Sequence, residues 1–307
     1  MTASLNNLLN EIQSVVKRPR YEILVKPHVN YLYHYIKSLA EEHKGRELLE
    51  DEMTVVVERY YVDSDYIDDY SHFHVRSFFE YGRLCVRLHF FANDIQERQF
   101  LSWLADPANP GFSAALKDYL GFVVIRPLPK TFVGRTCLLP PKRASLEVPF
   151  GQTYTLSLFG MTAKTGDTIA FQEQDNVVSI CATNALWFTF HAQGLNAGNP
   201  LFPSPAMITK KASELTEVAE RIFPAVGLTP NMLAATIKSQ NLEPQISNLN
   251  INNDTRLTAD LLKRESYAYM RDGVAAPILS ISLGADIDKL EVFIFLSIQP
   301  EPSRGWL

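Results

Sequence analysis

The stretch Phe171–Trp187, FQEQDNVVSICATNALW, changes character at its middle. Its first half is polar and irregular. From Ser179 onward, Ala182, Ala185, Leu186, Thr189 and Phe190 recur at helical spacing and mark a buried helix face. Ser179 is the residue type that caps a helix start, its hydroxyl accepting from a backbone N–H of the first turn. The spacing therefore predicts a helix that carries Cys181 in its first turn. Unpaired N–H groups and the positive end of the helix dipole favour a thiolate there, and the thiolate is the nucleophilic form of cysteine.

Seven residues upstream stands Gln174. An amide donor just before the cysteine's helix, together with the backbone N–H of Cys181, makes a two-donor site for the oxyanion formed when a thiolate attacks a carbonyl. Gln172 is an alternative donor. Cys181 by itself reads equally as a small buried hydrophobe, the commonest fate of a free cysteine. The helix start and the glutamine are what point to chemistry.

The run from Gln174 through Cys181 to Trp187 resembles the nucleophile segment of papain-fold cysteine peptidases, and within them the bacterial branch that processes bacteriocin leaders. Downstream segments follow in the same order. Leu215, Val218, Ala219 and Ile222 form a helix stripe. Thr229 and Pro230 make an N-cap followed by a proline at the first helical position. Leu257–Arg271 is a third helical pattern stopped by Gly273, and Ala276–Leu283 and Leu290–Gln299 are strands. The resemblance implies an α+β papain-like domain of helices and an antiparallel sheet. It also implies cleavage of a peptide or isopeptide bond in a protein or peptide substrate, Cys181 and Gln174 as catalytic residues, and neither cofactor nor metal.

The pattern departs from that branch at three points. The Gln174–Cys181 spacing is one residue longer, and Ala182 stands where many relatives carry glycine. The general-base histidine is missing too, because no histidine follows His191. Two readings remain open: a domain whose histidine strand has lost its histidine and which serves to bind protein, or a histidine strand that lies beyond Leu307. His191, inside the nucleophile's own helix, is expected to pack.

Working outward, Pro140, Pro141, Lys142 and Arg143 form a connector, which places a mixed α/β domain of undefined role at 1–143 and the papain-like domain at 144–307. In the first part, Met1–Val16 reads as an amphipathic helix on Leu5, Leu8, Leu9, Ile12 and Val16. Val29, Leu32, Tyr33, Ile36, Leu39 and Ala40 mark a second helix, and Met53–Val62 is a strand. Ile67, Tyr70, Phe73, Phe78, Tyr81, Leu84, Leu88 and Phe91 form a long helical stripe carrying Cys85, with a break near Gly82. Gly121–Arg126 and Thr131–Leu139 are strands punctuated by Pro127 and Pro129.

The formal charge is 29 − 34 = −5, which opposes a dedicated nucleic-acid binder. The local basic run Arg126, Lys130, Arg135, Lys142 and Arg143 is expected to be a solvated surface. Asp63, Asp65, Asp68 and Asp69 imitate a calcium loop but lack its glycine and its closing glutamate, so they read as a charged helix start. His72, His74 and His89 lack a metal-site spacing. No apolar run reaches the ~20 residues of a membrane span. Three cysteines without a CxxC pair suit reduced thiols and a cytoplasmic setting.

Overall fold

The computed structural model describes residues 2–4, 8, 10, 12, 22–128, 131–141, 151–174, 181–194, 202–214, 228–248, 260, 261, 263, 264, 266–268, 271, 278–283 and 290–298. It divides into two compact units, 1–173 and 174–307, and both are mixed α/β structures with antiparallel sheets.

The first unit is built on a five-stranded antiparallel sheet of β1 (Thr2–Ser4), β2 (Thr54–Tyr61), β3 (Cys85–Phe91), β4 (Tyr119–Ile125) and β5 (Val133–Leu138), in that spatial order. Helix α1 (Glu22–Lys44) supplies Val29, Leu32, Ile36, Leu39 and Ala40 to the core on one face, with Leu8 and Ile12 beside them. They meet Val55, Val57, Leu88, Phe90, Val123 and Ile125 from the strands. The opposite face carries Val56, Phe91 and Tyr119. It is covered by Phe100 and Trp103 of α3 (Glu97–Ala105), Phe112 of α4 (Pro110–Ala115), and Leu158, Met161 and Ala163 of a hairpin, β6 (Thr155–Leu158) and β7 (Met161–Lys164). With both faces covered, every residue of β3 and β4 is buried.

Three expectations change. The helical stripe from Ile67 to Phe91 ends early: α2 spans Ser64–His72, and Cys85–Phe91 is the central strand β3. A run buried on both sides offers no period that separates helix from strand, and pairing with β2 and β4 decides for the strand. Met1–Val16 opens not as a helix but with β1, paired to β2 through Ala3 and Val55; residues 8, 10 and 12 are helical. The basic run is not a solvated face either. Arg126 is 2% exposed and donates to the carbonyls of Thr131, Val133 and Glu173, while Arg135 pairs with buried Asp63 at 3.0 Å. Lys130, Lys142 and Arg143 lie outside the described residues.

The units divide after Glu173, thirty residues beyond the proline connector that places the boundary at 143/144. The reason is strand addition. Thr136 and Phe171 exchange backbone hydrogen bonds of 2.7 and 3.0 Å, Glu173 N–H donates to Val133 O, and Arg126 clamps Glu173 O. The segment 151–173 thereby covers the β5 edge of the first sheet.

The second unit holds α5 (Cys181–Gly194), α6 (Pro205–Glu214), α7 (Pro230–Ser239) and an antiparallel sheet of β8 (Glu243–Asn248), β10 (Leu290–Ile298) and β9 (Ile278–Leu283), with β10 central. Thr229 caps α7, its hydroxyl accepting from Met232 N–H, with Pro230 in the first turn. The stripe Leu215–Ile222 lies outside the described residues, and of Leu257–Arg271 the described ones are helical. No described helix is long and apolar enough to cross a membrane.

Candidate functional site

The described part of helix α5 runs Cys181–Gly194, with Cys181 as its first described residue. The helix is central in its unit, packed against α6, α7 and β9. That placement alters the burial the periodicity suggests. Leu186, Thr189 and Phe190 are buried as expected, but Ala182 and Ala185 are half-buried, while Thr183, Asn184, Trp187 and His191 are buried too. A helix enclosed by two helices and a sheet has no solvent face to leave polar, so its sequence is apolar around most of its circumference. Thr183 and Thr209 face each other at 3.4 Å between their hydroxyl oxygens, joining the first turn of α5 to α6.

His191 is 1% exposed and sits between two rings, 4.1 Å from Trp187 and stacked on Phe202 at 4.2 Å between centroids. It packs, as a residue ten positions along the same helix must. Gln174 is exposed at the start of the second unit, whereas Gln172 is buried within the first. Ser179 and the rest of 175–180 lie outside the described residues. β10 pairs with β9, Leu290 lying opposite Leu283, and its residues 290–298 include no histidine.

The other two thiols lie in the first unit. Cys85 and Cys137 are 1% and 0% exposed. Burial pushes the Cys85 thiol far up, and pushes that of Cys137 up to about 12, so neither ionises near neutrality.

A second polar constellation lies in the first unit, and the sequence reading missed it. Across β2, β3 and β4, Tyr119 Oη is 2.9 Å from His89 Nδ1, His89 Nε2 is 3.4 Å from Glu58 Oε2, and Arg87 Nε donates to the same oxygen at 2.7 Å. Arg87 lies over the Tyr61 ring at 4.2 Å and donates to Ser157 O of the β6–β7 hairpin. Burial lowers the His89 imidazole to about 4, keeping it neutral near pH 7. Burial alone would raise the Glu58 carboxyl, but the His89 hydrogen bond and the Arg87 charge hold it below its ordinary value. The signal was the alternation Arg87-Leu88-His89-Phe90, which puts two polar side chains on one face of a strand. This seam fastens the hairpin to the sheet.

Asp63 is the N-cap of α2, accepting from Tyr66 N–H at 3.0 Å, and it also pairs with Arg135. Its place is therefore that of a helix start and an ion pair. Among the described residues no three His, Cys, Asp or Glu side chains stand close enough to hold a metal.

No family model, curated protein or solved structure matches this chain. Function therefore rests on the residues themselves.

Proposed function

We propose that the second unit is a papain-like thiol domain whose nucleophile is Cys181, acting on a peptide or isopeptide bond. One observation carries this reading: Cys181 is the first described residue of α5, a helix that packs against strand β9 of an antiparallel sheet. With Ser179 as the cap that the sequence offers, Cys181 would lie in the first turn, where unpaired N–H groups favour a thiolate over the ordinary thiol with pKa of about 8.5. The thiolate would attack the carbonyl carbon, the Gln174 amide and the Cys181 N–H would receive the oxyanion, and the C–N bond would break to leave an acyl-thioester for water to hydrolyse. The leaving amine needs a proton. His191 is enclosed by rings, so it is not placed to supply that proton.

A second reading has its own support. β10 contains no histidine, which suits a papain-like fold that binds a protein segment beside Cys181 without cutting it.

Alkylation of the full chain by iodoacetamide, followed residue by residue by mass spectrometry across pH, tests both. A primed nucleophile gives a Cys181 rate profile with its midpoint below about 8.5. A Cys181 that is silent in the native chain but reacts after denaturation would overturn the nucleophile reading. A midpoint at or above the ordinary value leaves the binding-fold reading in its place.

A further inference from the structure

The loop between α2 and β3 is a preformed knob. Its neck is closed by the rings of His74 and Tyr81, edge to face at 5.4 Å, and by Tyr66 Oη donating to Gly82 O at 2.7 Å. Beyond that neck the chain turns outward. Phe78 is 106% and Phe79 57% exposed, adjacent in sequence at the tip. Arg76 and Arg83, both exposed, stand on the shoulders. Arg83 lies over the Tyr70 ring at 5.3 Å, and no described carboxylate pairs with either arginine.

We propose that this loop docks into an apolar pocket flanked by carboxylates on another protein. A ring held as fully in water as that of Phe78 gains nothing for folding, and large aromatic side chains are the usual anchors of interfaces. A protruding tip requires a concave partner. The closed neck means the tip loses little freedom on docking. Arg76 and Arg83 supply donors whose strongest acceptors on the other side would be carboxylates.

Insertion into a lipid surface fits less well. The loop's net charge is Arg76 plus Arg83 less Glu80, or +1, on a chain of net −5. At about 1 kcal/mol per basic residue near an anionic surface, that attraction is too small to anchor the chain.

The test replaces Phe78 by photo-crosslinking p-benzoylphenylalanine in the full chain, in the cells that make it. The crosslinked partner and its contact residues are then identified by mass spectrometry. Tyr31, 75% exposed on α1, carries the same probe as control. The expected result is one protein crosslinked from position 78 but not from 31, at an apolar site beside acidic residues. The double variant Arg76→Glu, Arg83→Glu should lower the yield about tenfold, the effect of losing roughly 1.4 kcal/mol of charge pairing. Phe79→Ser should lower it as well, without moving the thermal midpoint. A crosslink insensitive to the arginines, one to a second copy of this chain, none above the Tyr31 control, or co-sedimentation with phosphatidylcholine–phosphatidylserine vesicles in its place would each overturn the proposal.

Discussion

Arg87 and Glu58 form a salt bridge of 2.7 Å beneath the β6–β7 hairpin, with the Arg87 side chain 7% and the Glu58 side chain 18% exposed. The two strands bring together residues twenty-nine positions apart, and the guanidinium then reaches on to Ser157 O. A buried pair of this kind contributes little beyond what two apolar residues would, but removing one partner strands the other. Arg87→Met should therefore destabilise the first unit by about 3 kcal/mol, leaving Glu58 beside His89 without its cation. Replacing both, with Glu58→Leu added, should recover part of that loss. Urea unfolding followed by Trp103 fluorescence measures both. If the double variant is no better than the single one, the ion pair is not what holds the hairpin.

Acid sensitivity follows from the same seam. His89 has a folded-state pKa of about 4, below the ordinary 6.5, so the unfolded chain binds more protons between those values. Stability is then fully present above about pH 6.5 and falls as pH drops toward 4, by up to roughly 3 kcal/mol from this group. Glu58, also depressed, acts in the same direction: its contribution is present above the ordinary carboxylate value and is lost as pH falls through its folded-state value. His89→Gln keeps a neutral hydrogen-bonding group at the site. Its thermal midpoint should vary less than that of the parent across this window, and an unchanged slope would show that acid acts elsewhere.

How much of this was legible in the sequence depended on whether the deciding interaction was local. The Thr229-Pro230 helix start follows from cap chemistry within four residues, and the structure places the cap there. β4 and β5 follow from β-branched runs punctuated by Pro127, and β9 and β10 from their own apolar runs. β3 did not follow, because exposed Leu84 and the strand residues Leu88 and Phe91 sit at helical spacing by chance, and the strand itself is buried on both faces. The Glu58–Arg87–His89 seam was out of reach for a different reason. Its members meet only through strand pairing across 29 and 31 residues. Helix α6 and strand β8 carry neither clean periodicity nor a long apolar run, and packing against α5, α7 and β10 supplies what their sequences lack. At Cys181 local pattern gave a helix, and the described residues from 181 on are helical, whereas an acid–base partner for it is a non-local matter on which no short motif bears.

Gly121 offers a test of the sheet itself. Its φ of +119° is one that side-chain-bearing residues rarely adopt, and a Cβ there would lie 2.0 Å from Cys137 O. The position coincides with the register shift between Phe90 and Phe91 in the β3–β4 pair. Gly121→Ala must therefore push β5 away while straining its own backbone, and should cost more than about 3 kcal/mol. By contrast, Gly160 at φ +90° has nothing within 4 Å of an added Cβ, so Gly160→Ala carries the conformational strain alone and should cost about 1–2 kcal/mol. Denaturant midpoints of the two variants check the difference. Equal losses would mean that the close approach to Cys137 does not matter.

The two buried thiols report on the same region without any substitution. Cys85 at the start of β3 and Cys137 within β5 are enclosed, and burial raises both thiols above their ordinary value. A thiol reagent can reach either one only when the strands separate, and even then only the small ionised fraction reacts. Native labelling should therefore be slow at both and should accelerate with urea in step with unfolding of the first unit. Arg87→Met and Gly121→Ala should each speed it by the factor that their loss of stability dictates, about tenfold per 1.4 kcal/mol where opening is global. Should Cys137 label quickly in the native chain while Cys85 stays protected, the β5 edge must open alone, and the cover that residues 171–173 give it would be weaker than its hydrogen bonds imply.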